Sequence, residues 1–332
     1  MTRTCVEGVG MTSGAAAGLW WAVISAAAFG VSGPFAKSLL EIGWSPGAAV
    51  GVRIGGAALV LLIPVLLALR GRWKALRGSA LTLIIYGVTA IALCQFFYFN
   101  AVQRMSVGVS LLLEYLAPVL IVGWLWVRSR RAPRRLTATG SVTAMLGLLL
   151  VLDLTSDERL DPIGVVYGLA AAVCLAVFFL MSARADDALP PLVMAGGGMV
   201  VGAVAIAVMG LVGVMPFTFE FQDVTLAGWE TSWLVPVLGL VLISTVVSYF
   251  TGILAARQLG SKVASFVGLT EVMFAVLASW LMLGELPGPI QLLGGLLIVG
   301  GVVMVRIDEL RAPADGNPPL ERADDVEPVP LP

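Results

Sequence analysis

Ten apolar stretches recur along this chain of 332 residues, each long enough for a helix to cross a bilayer, which takes roughly 17–25 residues. They fall at 17–37, 45–69, 79–98, 106–127, 135–152, 162–182, 190–213, 233–255, 262–284 and 288–305. Lipid offers no partner to a backbone N–H or C=O, so such segments must satisfy their polar groups internally, as helices. Composition agrees: 59% of residues are apolar and 12% charged, against about 45–50% and about 25% in a soluble domain. The expected fold class is all-α integral membrane with ten transmembrane helices. The longest connection, 214–232, is too short to hold an inserted soluble domain.

Basic residues orient the spans. Arg70, Arg72, Lys74 and Arg77 fill the second connection, and Arg128, Arg130, Arg131, Arg134 and Arg135 the fourth. Arg184 lies in the sixth, and Arg257 and Lys262 flank the eighth; the odd-numbered connections hold only Lys37, Arg104 and Arg159. With both termini in the cytoplasm, 16 of the 20 basic residues are cytoplasmic, as the positive-inside rule requires. This predicts a multi-pass protein of the inner (plasma) membrane. Residues 1–16 form a short cytoplasmic N-terminus, and the acidic, proline-rich stretch 306–332 is expected to be a disordered cytoplasmic tail. Ala26-Ala27-Ala28 has the look of a signal-cleavage site, but the apolar run continues to Leu40, so the first helix is expected to stay uncleaved.

Several chemistries are excluded. The chain has no histidine, which removes histidine-based triads, HExxH sites and imidazole relays. Cys5, Cys94 and Cys174 are too scattered to suggest a disulfide framework or zinc site. No GxxxxGK[ST] occurs, so nothing supports ATP-driven pumping. A net charge of −1 gives no general attraction for nucleic acid. No enzyme, cofactor or metal site is expected.

An internal repeat adds function to the architecture. Shifted by 154 residues, 96–151 aligns with 250–305 without a gap, pairing Phe96 with Phe250, Trp126 with Trp280, Pro133 with Pro287, Gly140 with Gly294 and Gly147 with Gly301. Nearer the N-terminus, Gly18-Leu19-Trp20-Trp21 sits over Gly164-Val165-Val166-Tyr167 at a shorter offset. A unit of five helices is odd, so its second copy enters the membrane from the opposite side. Inverted halves of this kind recur in secondary transporters, with the substrate held near the midplane between them.

The chain resembles the EamA-type transporters of the drug/metabolite transporter superfamily over about residues 16–306. The resemblance lies in Ala26–Leu40, Trp44–Arg53, Leu112–Val119 and Val263–Glu285. It implies two inverted five-helix EamA-like repeats, 17–152 and 162–305, that export amino acids, metabolites or drugs. Two departures stand out: Glu271-Val272 where such proteins often have Glu-Pro, and Arg130-Arg131 in place of a Gly-Glu ending to the fourth helix.

Ionisable groups inside the spans are few, and each is costly in hydrocarbon unless paired or hydrated. Glu114 lies eight residues into helix four and Glu271 nine into helix nine from the opposite side, each roughly 12 Å deep at about 1.5 Å per residue. In the repeat they differ by three positions, so they occupy nearly the same face of equivalent helices. They are expected to line a central cavity and bind a substrate cation or a proton, or else to be packing groups bonded to nearby hydroxyls. Arg53, eight residues into helix two, either pairs with Glu114, fixing the bundle, or receives a substrate carboxylate. Gln95, Tyr98 and Asn100 on helix three, Tyr249 on helix eight, and Tyr115, Thr270 and Phe274 beside the acids complete the candidate pathway. Gly47, Gly51 and Gly55 read as a helix-contact ridge, and Pro34 and Pro118 as kinks.

The function expected is a secondary transporter that exports small organic solutes by alternating access, with proton coupling through the acids. An uncoupled facilitator or exchanger, and a non-transporting scaffold or sensor, are the alternatives. The partners expected are a small organic solute, the bilayer and a proton; no sequence feature specifies an oligomeric state.

Overall fold

The computed structural model describes residues 13–70, 73–105, 107–130, 132–152, 161–183, 189–284, 286 and 288–311. The N-terminus before Ser13, the tail beyond Arg311, and Arg72, Arg131, Arg159 and Arg184 lie outside the described residues. Eight helices among the described residues are long and apolar enough to cross a membrane, and Arg135–Val151 and Glu271–Met282 are shorter apolar helices. This is an all-α multi-pass membrane protein. Its β structure, among the described residues, is one small hairpin.

Four helices of the first half precede the fifth span, Arg135–Val151: Ala16–Glu41, Pro46–Ala68, Ala80–Val102 and Val109–Ser129. In the second half, Pro162–Ser182 and Pro191–Leu211 are spans six and seven, and Pro289–Leu310 is span ten. Span eight and the first part of span nine run together as Leu234–Gly268, turning at Gly260 with φ +77° and ψ 161°, a region essentially reserved for glycine. Residues 306–310, expected in the tail, are the last turn of span ten. They stay helical because Thr137 donates to Asp308 at 2.5 Å, both side chains buried, and Lys262 pairs with Glu309.

The packing obeys the inverted repeat. Span five crosses span ten with Gly140 against Gly301 and Gly147 against Gly294. Since Gly140 and Gly294 are equivalent positions, as are Gly147 and Gly301, the contact is self-complementary, like a two-fold interface. Ala144 and Ile298, equivalent to each other, are both fully buried there. Gly18 lies against Gln258 and Leu259, while Gly164 lies against Arg104 and Met105, which the 154-residue shift carries onto the first pair. The faint match of Gly18 with Gly164 is therefore structural.

The glycines of span two do something other than expected. Gly47 meets the Pro216 carbonyl and Gly51 the Phe217 ring, whereas Gly55 has open space beside it; the helix contact is at Gly56, on Val241. The ridge accommodates a connection, not a helix. Residues 212–233 fold over the start of span two: Trp44 donates to the Glu220 carbonyl, and Ser45 both donates to the Pro216 carbonyl at 2.8 Å and accepts from Thr218 N–H at 2.9 Å. Phe219 packs edge-on to Trp44, 5.1 Å between centroids. The hairpin Val224–Leu226 and Trp229–Thr231 turns through Ala227 and Gly228, both at positive φ, as a tight two-residue turn demands. Ala227 N–H then ties this strap to the Met282 carbonyl of span nine at 2.7 Å.

A methyl group on Gly147 would sit 2.6 Å from the Gly294 carbonyl oxygen, so Gly147→Ala must push spans five and ten apart. The expected loss is about 1–3 kcal/mol, read as a lower melting temperature in detergent. Gly300→Ala, whose methyl meets nothing within 4 Å, is expected to leave the melting temperature unchanged or raise it.

Candidate functional site

Two kinds of helix irregularity, each present in both halves, build the centre of the molecule. The first is a π-helical segment, Tyr86–Leu93 in span three and Gly239–Val247 in span eight; the repeat offset carries one onto the other. Thr245 marks the wider winding by donating to the carbonyl five residues back, Leu240, at 2.7 Å. Such segments often sit at functional sites. Each ends immediately before a polar pair, Cys94-Gln95 and Ser248-Tyr249.

The second irregularity is a break in spans four and nine. Helix Val107–Glu114 stops and resumes as Ala117–Ser129; the helix ending at Gly268 resumes as Glu271–Leu283. Pro118 explains the first break, because it has no N–H to return to the Glu114 carbonyl. The second has no proline, yet the chain tightens into i→i−3 bonds, Thr270 N–H to Val267 at 3.0 Å and Met273 N–H to Thr270 at 3.0 Å. Thr270 Oγ1 also donates to the Val267 carbonyl at 2.7 Å, so the threonine closes this turn without a proline. Pro34 likewise follows a break in span one, between Gly30 and Ser32.

Both breaks deliver an acid. Glu114 is the last residue of its half-helix and Glu271 the first of its own, so the two meet opposite ends of a helix dipole. Tyr115 connects them: adjacent to Glu114 in sequence, it donates its hydroxyl to Glu271 Oε1 at 2.6 Å across the two halves. Cys94 donates to Glu114 Oε1 at 3.4 Å. Both acids are half-buried, and Glu114 is within electrostatic reach of Glu271. Arg53 is buried on span two, its guanidinium 5.0 Å from the centre of the Phe29 ring. It lies within electrostatic reach of Glu114 and Glu271. Tyr98 is in reach of all three charges, and Tyr249, edge-on to Phe178 at 5.5 Å, is too.

Seven of the sequence candidates therefore fall near the centre: Glu114, Glu271, Arg53, Tyr98, Tyr115, Tyr249 and, next to Cys94, the half-buried Gln95. Three have local duties. Asn100 donates back to the Phe96 carbonyl of its own helix at 2.8 Å, Thr270 caps the break, and Phe274 packs against Gly30 of span one. Sequence reasoning missed Cys94, Phe29 and Phe178. Cys94 had a signal, since the repeat places it over Ser248; the two phenylalanines had none in an apolar sequence. An apolar groove, lined by Val151, Met273, Val276, Leu277, Trp280 and Leu292 among others, opens elsewhere, on the face of span nine away from Gly30.

Paired π-segments, paired breaks and a two-fold crossing describe one unit used twice, and the profile of the EamA-like transporter family matches twice, over residues 16–153 and 162–307. The chain belongs to the EamA-like transporter family. Within the wider drug/metabolite superfamily it is similar to the threonine/homoserine exporter RhtA of Escherichia coli strain K12, 25% identical over 261 residues that cover 78% of this chain and 80% of RhtA. It is also similar to the uncharacterized inner membrane transporter YicL of Salmonella typhimurium strain LT2, 24% identical over 71% of this chain and 76% of YicL. A protein of known crystal structure shares the fold, with a TM-score of 0.69 over 90% of this chain and 99% of its own, at 18% identity.

In this EamA protein the Tyr115–Glu271 bond is the direct link between the halves at the acids. Tyr115→Phe removes the donor, and a double-mutant cycle with Glu271→Ala, read by thermal unfolding in detergent, is expected to give a coupling of about 0.5–3 kcal/mol. Additive effects of the two substitutions would deny the link.

Proposed function

We propose that this chain is an inner-membrane secondary transporter that exports small organic solutes, amino acids or related metabolites, drugs included, by alternating access. The observation that carries the reading is the pair of broken helices, one per half, that bring Glu114 and Glu271 to one site joined by Tyr115. Non-helical backbone at membrane depth is tolerated where it lines a cavity or is covered by protein, and discontinuous helices form the binding sites of many carriers. RhtA's role as a threonine/homoserine exporter favours amino-acid-like solutes and outward flow.

The two five-helix units, 17–152 and 162–305, are the moving halves, rocking about the site so that it opens to each side in turn. The distribution of basic residues supports cytoplasmic termini, with the strap over span two on the outer face. Two carboxylates in one poorly solvated site need positive charge, and Arg53 supplies one unit. A proton on the acids, exchanged for the cationic group of the solute, supplies the other and couples export to the proton gradient. Gln95, Tyr98 and Tyr249 complete the pathway around the acids.

Efflux of a loaded amino acid from proteoliposomes tests the reading. Collapsing the pH gradient is expected to slow the wild type, and Glu271→Gln to lower the rate about tenfold or more while removing the response to the gradient. A Glu271→Gln protein that kept both the wild-type rate and the gradient response would refute the role of the acid. Comparing intracellular metabolites between a deletion strain and an overexpressing strain is expected to show the solute accumulating in the first and depleted in the second.

A further inference from the structure

We propose that Arg53 is the anion-receiving residue of the central site, and that the site selects solutes carrying a carboxylate together with an amino group. This rests on the carrier reading above and names its substrate chemistry. Arg53 is 7% exposed, yet its Nε and Nη2 make no hydrogen bond. Buried polar groups are nearly always satisfied, and a charged donor without an acceptor is costlier than a neutral one. Among the described residues, neither Glu114 nor Glu271 closes an ion pair with Arg53, although both act on it electrostatically. Their hydrogen-bond donors are Cys94 and Tyr115.

Which atoms are left over matters. Nε–H and Nη2–H lie along one edge of the planar guanidinium and point the same way. That edge takes both oxygens of a carboxylate side-on, a geometry lysine lacks. Phe29 covers one face of the group at 5.0 Å, which holds its plane.

Charge narrows the ligand further. One guanidinium stands beside two acids, with Tyr98 and Tyr249 in reach of all three. A zwitterion fits: its carboxylate on Arg53 and its ammonium towards Glu271 or Glu114. A simple organic cation would leave the Arg53 edge empty, and a phosphate dianion would face two carboxylates. A hydrocarbon-like solute would leave every one of these groups without a partner.

Counterflow in proteoliposomes tests this with threonine, leucine and phenylalanine, each offered as the free amino acid, its primary amide and its N-acetyl derivative. For the scaffold transported, the free acid is expected to exceed the amide about tenfold or more, the ratio that a charge-assisted hydrogen bond supports. The N-acetyl form, lacking the ammonium, is expected to fall likewise. Arg53→Gln is expected to bring acid and amide level by losing the acid alone, and Arg53→Lys to keep part of the preference. An amide moved as well as its acid by the wild type overturns the proposal. So does an Arg53→Gln protein that retains the preference, or a loss of acid and amide alike in both variants. If another solute moves while no free amino acid does, the inference falls and the carrier reading stands; if the wild type moves nothing, both fall.

Discussion

A helix interrupted in the middle of a bilayer exposes backbone groups that hydrocarbon cannot satisfy, and spans four and nine are interrupted at equivalent places in the two halves. Every distinctive feature of the centre depends on those interruptions being tolerated. Tight i→i−3 turns at Leu269–Thr270, the threonine hydroxyl on Val267, and burial of Tyr115, Phe266 and Leu269 against span five and span ten keep the exposed carbonyls away from lipid. What the breaks provide in return is direction. Glu114 and Glu271 leave their half-helices where the chain turns, and Tyr115 reaches from one break to the acid at the other.

Symmetry organises the scaffold, and departures from it organise the chemistry. The glycine contacts of spans five and ten are the same contact made twice, as are those of Gly18 and Gly164 with their partners. The π-segments overlap under the same shift and end at equivalent residues, Leu93 and Val247. Against that background the charges are unpaired: Glu114 has Gly268 as its equivalent, Glu271 has Ala117, and span seven, the counterpart of the span bearing Arg53, carries no charged residue at all. The strap over Trp44 and Ser45 also belongs to one face only. A carrier must be nearly symmetric to open on either side, and must be asymmetric to bind a polar solute at all.

The fold was legible because lipid simplifies the code. Long apolar runs and the placement of arginine and lysine are strong signals in a membrane protein, and the repeat appeared wherever rare residues, tryptophan, proline and glycine, stood at one spacing. The acids were legible for the related reason that an ionisable group in a span is conspicuous. Less legible were groups whose type is ordinary in lipid. Nothing in the sequence distinguishes Phe29 or Phe178 from other phenylalanines, and Gly47 and Gly51 have the spacing of a helix ridge although they meet Pro216 and Phe217. Asn100 and Thr270 drew notice as polar groups near the centre, but their donors are satisfied within their own helices.

Sequence alone determined the all-α membrane class, the internal repeat and the presence of two acids within apolar spans, because apolar length, periodicity and position along a helix are properties of the chain by itself. Tertiary structure decided that span two's glycines receive a strap, that span ten continues to Leu310 through the bond between Thr137 and Asp308, and that Tyr115 joins the acids. It also decided which edge of Arg53 is without a partner. Each of these depends on which distant residue arrives at a given face, and hydrophobic patterning, which says only that a face is buried, carries no information about its neighbour.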